Sequence, residues 1–511
     1  IRRLERDLAF DTVEEFGAMS WLIGLKECPF RIPDPEAAGF PAGLSPSQKR
    51  AWLAATCADN PLVLVQGPPG TGKTFVLEQV LRTLTAQGLN VLVSAPSNAA
   101  VDNVCRRLFD LPVLRCGSHE LNIAPDVAIR QWSGKPENRS RFQNLREQLG
   151  CGSIIAGTHF GILQDESVKD QVRRNGLYDA VLFDEAGMSS LEELLLCTRL
   201  GRRAVLFGDH RQLQPFPLRP QIVKTLREKR PVITREEEAI LNRSSMEWLA
   251  GFRGFPVVIL AESFRCQNPR LLRFASLLFY NAEVRPALNA EYYHLPFRDR
   301  LAQYPPETMT FYTTSNLPAD LRRESLSFGG SKPGLSNETE AAVCCFLFYR
   351  LLRNYPPEQI SIIAPYRKQI RRIRALLSLV HARRIRPGLA SRQWEEFLDS
   401  RIATVDSFQG AESDAVIISY VRSNENHVIG FSDNPNRINV AHTRCRKELY
   451  VVGDLECLKR GAGSGIFDQM ERAFRRDGRI ILLTEPELKR MQREIGLKPM
   501  EKVSERACTS T

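Results

Sequence analysis

The stretch Pro61–Thr74, PLVLVQGPPGTGKT, decides the fold. Its first part, Pro61–Gln66, is apolar, as expected of a buried parallel strand. The following Phe75–Gln87 has helical periodicity, with Val76, Val80, Leu81 and Leu84 on one face. Strand, glycine-rich turn and helix is the setting that a phosphate-binding loop requires. Gly67, Pro68, Pro69, Gly70, Thr71 and Gly72 form the turn, whose backbone N–H groups can approach phosphate oxygens. The helix N-terminus adds positive dipole. Lys73 is expected at the β- and γ-phosphates and Thr74 Oγ at Mg²⁺, so the loop admits little but a nucleoside triphosphate.

Working outward, the chain has 511 residues, 43% of them hydrophobic, enough for two to four domains with their own cores. A net charge of +11 favours polyanion partners. The 12 cysteines are scattered, with no C-x-x-C pair, which argues against zinc and for reduced thiols in an intracellular protein, cytoplasmic or nuclear. No apolar run approaches the roughly 18–20 residues of a membrane span. IRRLERDLAFD at the N-terminus has no long apolar core, so it is no signal peptide. It also lacks an initiator Met, as a fragment or processed form would.

Apolar strand candidates separated by helical segments run from Leu62–Val65 through Val91–Ala95, Ile154–Gly157 and Ala180–Phe183 to Ala204–Phe207. A second series holds Val257–Leu260, Ile360–Ala364, Ile402–Val405, Ala415–Tyr420 and Leu449–Val452. Alternation of this kind marks α/β domains with mostly parallel sheets. The expected division is a helical stalk-like segment over 1–43, a first domain over 44–250 and a second over 251–485, then a polar tail over 486–511. A polar helical insertion falls near 118–149, and Asn289–Gly334 reads as irregular loops.

Chemistry gathers around the acids of VLFDE, 181–185. At the carboxyl end of a parallel strand they face the phosphate loop. Asp184 is expected to hold Mg²⁺ through water, and Glu185 to accept a proton from the attacking water. Gln212, in GDHRQL (208–213), can hydrogen-bond the γ-phosphate and that water. Arg265 in ESFRCQNP and Arg444 in NVAHTRCR are planar cations suited to charge developing in phosphoryl transfer.

Read together, these motifs resemble the superfamily 1B helicases, specifically the nonsense-mediated-decay group and its DNA- and RNA-acting relatives. LSPSQKRAW (44–52) is similar to their adenine-reading Gln motif, with Gln48 in the Gln place. GPPGTGKT resembles motif I, SAPSNAAVDNV (94–104) motif Ia, GTHFG (157–161) motif Ic, DEAG (184–187) motif II and GDHRQLQP (208–215) motif III. ESFRCQNP stands for Q-Y-R-M-H-P, IAPYRKQI (363–370) for motif IV, TVDSFQGAESD (404–414) for motif V and NVAHTRCR (439–446) for motif VI. The resemblance spans roughly 44–455 and implies two tandem RecA-like domains, with ATP in the cleft between them and a single strand across both. It further implies Gln48 at adenine, Glu412 at the ribose, and Arg265 and Arg444 at the γ-phosphate. Strand contacts are implied for Pro96, Ser97, Asn98, Thr158, Pro365, Tyr366 and Thr404. Ser263 and Phe264 depart from the family's Gln and Tyr, Met188 from its Gln, and His442 and Cys445 from its Leu and Ala.

Arg367, Lys368, Arg371 and Arg372 share a helical face, followed by Arg383, Arg384 and Arg386; these are candidates for an electrostatic groove. The function implied is ATP-driven movement on single-stranded nucleic acid, 5′ to 3′, RNA favoured over DNA, with unwinding. An ATP-gated clamp without processive unwinding stays open, since only about 43 residues precede the Gln motif, where relatives carry an accessory domain. A signalling or assembly ATPase without nucleic acid leaves motifs Ia and V without a purpose. Protein partners are not legible.

Overall fold

A computed structural model describes residues 17–24, 27–35, 39–117, 119–215, 243–287, 301–327, 334–383, 391–408 and 411–498. Arg384 and Arg386 lie outside the described residues, and so does the side chain of Arg383. The chain divides into two compact units, Ile1–Glu262 and Ser263–Thr511.

The first unit is built on seven described strands: β1 (Leu62–Gln66), β2 (Val91–Ala95), β3 (Val113–Arg115), β4 (Ile154–Thr158), β5 (Ala180–Phe183), β6 (Ala204–Gly208) and β7 (Val257–Ile259). They lie in the order β3-β4-β2-β5-β6-β1-β7, and every pairing is parallel. Alternation along each strand fills both faces. Val63 and Val65 join one core with Val76, Leu77 and Val80 of the helix Lys73–Ala86. Leu62 and Leu64 join another with Phe183, Leu194 and Met246. Burial on both faces is why these strands read as unbroken apolar runs.

Here the structure corrects the sequence reading. Val257–Leu260 does not open the second sheet: its first three residues pair with β1, Leu64 opposite Val257, so the first unit reaches Glu262 rather than 250. An apolar run fixes that a strand forms, not which edge receives it. β3, Val113–Arg115, went unread. The expected insertion contains two helices, Pro125–Gln131 and Pro136–Leu149.

The second unit begins within β8 (Glu262–Ser263), whose partner is β9 (Arg285–Pro286). Its main sheet holds β10 (Met309–Thr313), β13 (Ile360–Ala364), β14 (Ile402–Thr404), β15 (Ser413–Ser419), β16 (Cys445–Gly453) and β17 (Arg479–Leu482). The order is β14-β13-β15-β16-β10-β17, again all parallel, and a hairpin joins β11 (Ser325–Ser327) to β12 (Gly334–Ser336). Met309–Thr313 was expected to be loop, yet it is a fully buried interior strand. The tail expected from 486 instead begins as a helix, Glu485–Glu494. Leu488, Met491 and Ile495 bury an apolar stripe against the core containing Ile360 and Ile417. Spacing of i, i+3 and i+7 hides such a stripe among charges.

Candidate functional site

Parallel pairing puts the carboxyl ends of all seven strands of the first sheet at one edge. The phosphate loop leaves β1 there, Asp184 and Glu185 leave β5, and Asp209 to Gln212 leave β6. Because β5, β6 and β1 are consecutive neighbours, the three turns converge. The loop is braced internally: Thr71 Oγ1 donates to Pro68 O at 2.7 Å. Gly72 sits at φ +80°, and a Cβ there would meet Gln48 Nε2 at 2.5 Å. Gln48 itself is 2% exposed. Its Oε1 accepts from Ser45 N–H at 2.9 Å, and its Nε2 donates to Thr71 O at 2.9 Å, tying the preceding helix Pro46–Thr56 to the loop. Glu262 secures the start of that helix, accepting from Ser45 Oγ at 2.9 Å and Ser47 N–H at 3.2 Å.

Lys73 Nζ lies 3.3 Å from Glu185 Oε2. Burial opposes its charge, but Glu185, Asp184 and Asp209 outweigh that and hold its pKa above the ordinary range. Asp184 is 2% exposed; burial first, then the neighbouring Glu185, pushes its pKa up to about 7 against the pull of Lys73. Two carboxyl groups, one buried and one half-buried, face a single ammonium. With the Thr74 hydroxyl and Asp184 as hard oxygen donors, the residues fit a magnesium ion.

Asp209 is a hub that the sequence reading missed. Its carboxylate accepts from Gln66 Nε2 at 3.1 Å, from Arg211 N–H at 3.1 Å and from Gln212 Nε2 at 2.7 Å. The visible signal was an acid at the end of an apolar strand, three residues before Gln212. The turns after β5 and β6 touch: a Cβ on Gly187 would meet Asp209 O at 2.5 Å, and one on Gly208 would meet Gly187 N at 2.5 Å.

Farther along the same edge, Ala95 of β2 is paired with Thr158 of β4. Pro96, Ser97 and Asn98 follow directly, the last two exposed. Ser97 Oγ accepts from Ala100 N–H at 3.3 Å and caps the helix Asn98–Arg107. Asn98 Oδ1 accepts from Arg115 Nη2 at 2.8 Å, and Arg115 is fixed by Asp102 at 2.9 Å in a buried ion pair. Thr158 Oγ1 accepts from Gly161 N–H at 3.1 Å. Behind this edge His159, driven to a pKa of about 4 by burial, bridges Ser94 Oγ (2.6 Å) and Ser189 Oγ (2.8 Å).

In the second unit, Pro365 and Tyr366 follow β13, and Thr404 ends β14 beside Ala364. Thr404 Oγ1 shares a hydrogen bond with Ser407 Oγ at 2.7 Å. Arg265 Nε pairs with Glu412 Oε2 at 2.5 Å, bringing two of the expected ligand contacts together. Arg444 is 3% exposed. The basic helix Arg367–Arg383 divides its charges: Arg367 and Arg371 are exposed, whereas Arg372 pairs with Glu338 at 2.6 Å. The family departures Ser263, His442 and Cys445 are buried. His442 Nδ1 bonds Ile438 O at 2.8 Å, and burial lowers its pKa to about 4.

Two family models, each described as an AAA domain, match residues 43–149 and 241–456. The chain is 30% identical over 466 residues to a regulator of nonsense transcripts 1 homolog of Drosophila melanogaster, covering 84% of this chain and 36% of that one. It is 28% identical over 463 residues to the ATP-dependent helicase NAM7 of Saccharomyces cerevisiae, covering 84% and 44%. Over 460 residues it is 28% identical to the DNA replication ATP-dependent helicase/nuclease DNA2 of Mus musculus, covering 84% and 39%. The chain thus spans less than half the length of each of these relatives. Among the described residues no helix is long and apolar enough to cross a membrane.

Proposed function

Because the chain belongs to the superfamily 1 helicases of the Upf1-like group, we propose that it hydrolyses ATP to move along single-stranded nucleic acid. One observation carries the reading. A single sheet edge presents the phosphate loop and its acids at β1, β5 and β6, the exposed polar turn Ser97–Asn98 after β2, and the half-buried Thr158 at the end of β4. An ATPase acting without nucleic acid has no need of the second set.

In the proposed mechanism Lys73 leaves Glu185 for the β- and γ-phosphates when ATP enters. This frees the Glu185 carboxylate to take a proton from the attacking water. Thr74 and Asp184 would hold a magnesium ion, which would screen charge on the phosphates. Gln212 gives up its bond to Asp209 and orients the water. Gln48 positions the loop through Thr71 and receives the adenine edge, while Glu412 accepts from the ribose. Arg265 and Arg444 supply cations to the γ-phosphate. Ser97, Asn98, Thr158, Pro365, Tyr366 and Thr404 contact sugar and phosphate, which grips a strand without reading its sequence.

RNA is the favoured strand, because one of the relatives above is a regulator of nonsense transcripts; the relation to a DNA replication helicase/nuclease keeps DNA as the competitor. Movement is 5′ to 3′ by the family resemblance. The described cysteines are free thiols, which fits a reducing compartment, cytoplasmic or nuclear. ATPase turnover is measured with and without poly(U), alongside displacement of duplexes carrying 5′ or 3′ tails in RNA and in DNA. Stimulation with 5′-tail displacement is expected. Stimulation without displacement turns the reading to an ATP-gated clamp, and the absence of stimulation and binding overturns it.

A further inference from the structure

The segment after β15 is a fixed loop with an exposed apolar tip. Val421 (φ +74°), His427 (φ +52°) and Gly430 (φ +55°) are all in the left-handed region. Side chains from elsewhere in the second unit hold the backbone there. Val421 N–H donates to Glu340 at 2.8 Å, and Ser423 Oγ donates to Asp454 at 2.6 Å. Asn424 brackets Val428, accepting from its N–H and donating to its carbonyl, both at 2.9 Å. What this scaffold presents is Phe431, 55% exposed.

Its neighbours give the exposed ring a direction. The Tyr366 ring centre is 5.8 Å away and tilted by 61°. The Arg437 guanidinium lies 5.0 Å from the Phe431 ring centre, and Arg437 Nε also pairs with Asp406 at 3.2 Å. Arg422 Nη1 donates to the Tyr366 hydroxyl at 3.2 Å. Tyr366 follows β13, and Asp406 stands two residues past Thr404 at the end of the neighbouring β14. Phe431 therefore lies against the Tyr366 segment and is linked through Arg437 to the segment that follows Thr404.

We propose that Phe431 is a base-stacking platform for the single strand, adding a contact to a nucleobase where Tyr366 and Thr404 contact the backbone. The inference rests on the proposed nucleic-acid reading and deepens it. Every base has a π-face, so stacking on an aromatic adds affinity without sequence preference. Arg437 supplies a cation beside the ring, which favours the electron-rich face of a stacked base as well as nearby phosphates. The ring keeps more than half of its surface open on a braced loop, beside a cation and an aromatic of a candidate strand-contact segment.

The test compares the whole chain with its Phe431→Ala, Phe431→Leu and Phe431→Trp variants. Each binds a labelled oligo(U) and an abasic oligomer of equal length, over a range of salt. Phe431→Ala and Phe431→Leu are expected to lose roughly five- to hundredfold in affinity for oligo(U), the value of one stacked base. The abasic oligomer should bind all forms alike, and the slope of log K against log salt should not change, because no phosphate contact is removed. Phe431→Trp should bind oligo(U) at least as tightly as Phe and show quenched indole fluorescence on binding. Unchanged oligo(U) affinity in Phe431→Ala overturns the inference while leaving the function standing. An equal loss on the abasic oligomer overturns it too, by making the ring a support for the loop. Failure of the unaltered chain to bind either oligomer removes the nucleic-acid reading itself.

Discussion

Glu185 is held at φ +52°, a backbone region uncommon for any residue but glycine. Such a conformation costs of order 1–3 kcal/mol and persists where surrounding structure fixes it. Here the turn brings the half-buried carboxylate to Lys73. Substituting Glu185→Gln keeps the shape and removes the base. ATP binding should survive, whereas turnover should fall by ~10²–10⁴. Nucleotide titration beside steady-state hydrolysis separates the two, and near-normal turnover would exclude Glu185 as the base. At this scale the sequence was explicit about the residues that chemistry demands, Lys73, Asp184 and Glu185. It was silent on Asp209, Gln66 and Phe431. Their importance lies in what they touch, and no spacing rule brings residue 66 to residue 209.

Elements determine whether those side chains meet. The turns leaving β5 and β6 approach so closely that neither Gly187 nor Gly208 has room for a Cβ. Gly187→Ala places a methyl against the carbonyl of Asp209, and backbone cannot yield as a flexible side chain can. Overpacking of this kind costs typically ~1–3 kcal/mol. A lower unfolding midpoint together with reduced turnover is expected; a variant with wild-type stability would mean the turns separate freely. A second device lies in the helix Glu338–Leu351, whose Glu340 is fully buried. Burial drives its pKa up to about 8, although bonds from Ser419 (2.7 Å) and Val421 N–H (2.8 Å) act the other way. A carboxyl whose folded pKa is raised favours the folded state while it is protonated. That contribution is complete below the ordinary carboxylate range and is lost as pH rises through about 8. Thermal midpoints should therefore fall from the ordinary carboxylate range up to about pH 8 and level off above it, and fall less in Glu340→Gln, whose amide oxygen accepts the same two bonds. Parallel pH profiles for the two proteins would contradict the burial argument.

For the whole molecule, each unit repeats one solution: a parallel sheet covered on both faces, with its polar turns gathered at the carboxyl edge. Lys73 and Glu185 belong to the first unit, and Arg444 belongs to the second. Arg444→Ala should depress kcat by as much as ~10³–10⁵ with little change in nucleotide affinity, as removal of an arginine finger does. Steady-state kcat and KM decide it. A change confined to KM would reduce Arg444 to a phosphate ligand, and no change would remove it from the reaction.

By itself the sequence determined what local chemistry encodes. Glycine and lysine spacing specifies a phosphate loop, because only that backbone admits phosphate oxygens. Apolar runs interrupted by helical periods specify parallel sheets, because strands covered on both faces cannot alternate. The tertiary structure alone decided matters of long-range pairing. It sent Val257–Ile259 to β1 instead of to the second sheet, and it made an interior strand of Met309–Thr313. It turned the expected tail into the packed helix Glu485–Glu494. It also set Phe431 beside Tyr366 and Arg437. Strand order and side-chain neighbours depend on contacts between residues far apart in the chain, and the physical terms that select them, burial and hydrogen-bond completion, arise only once the sheet has closed.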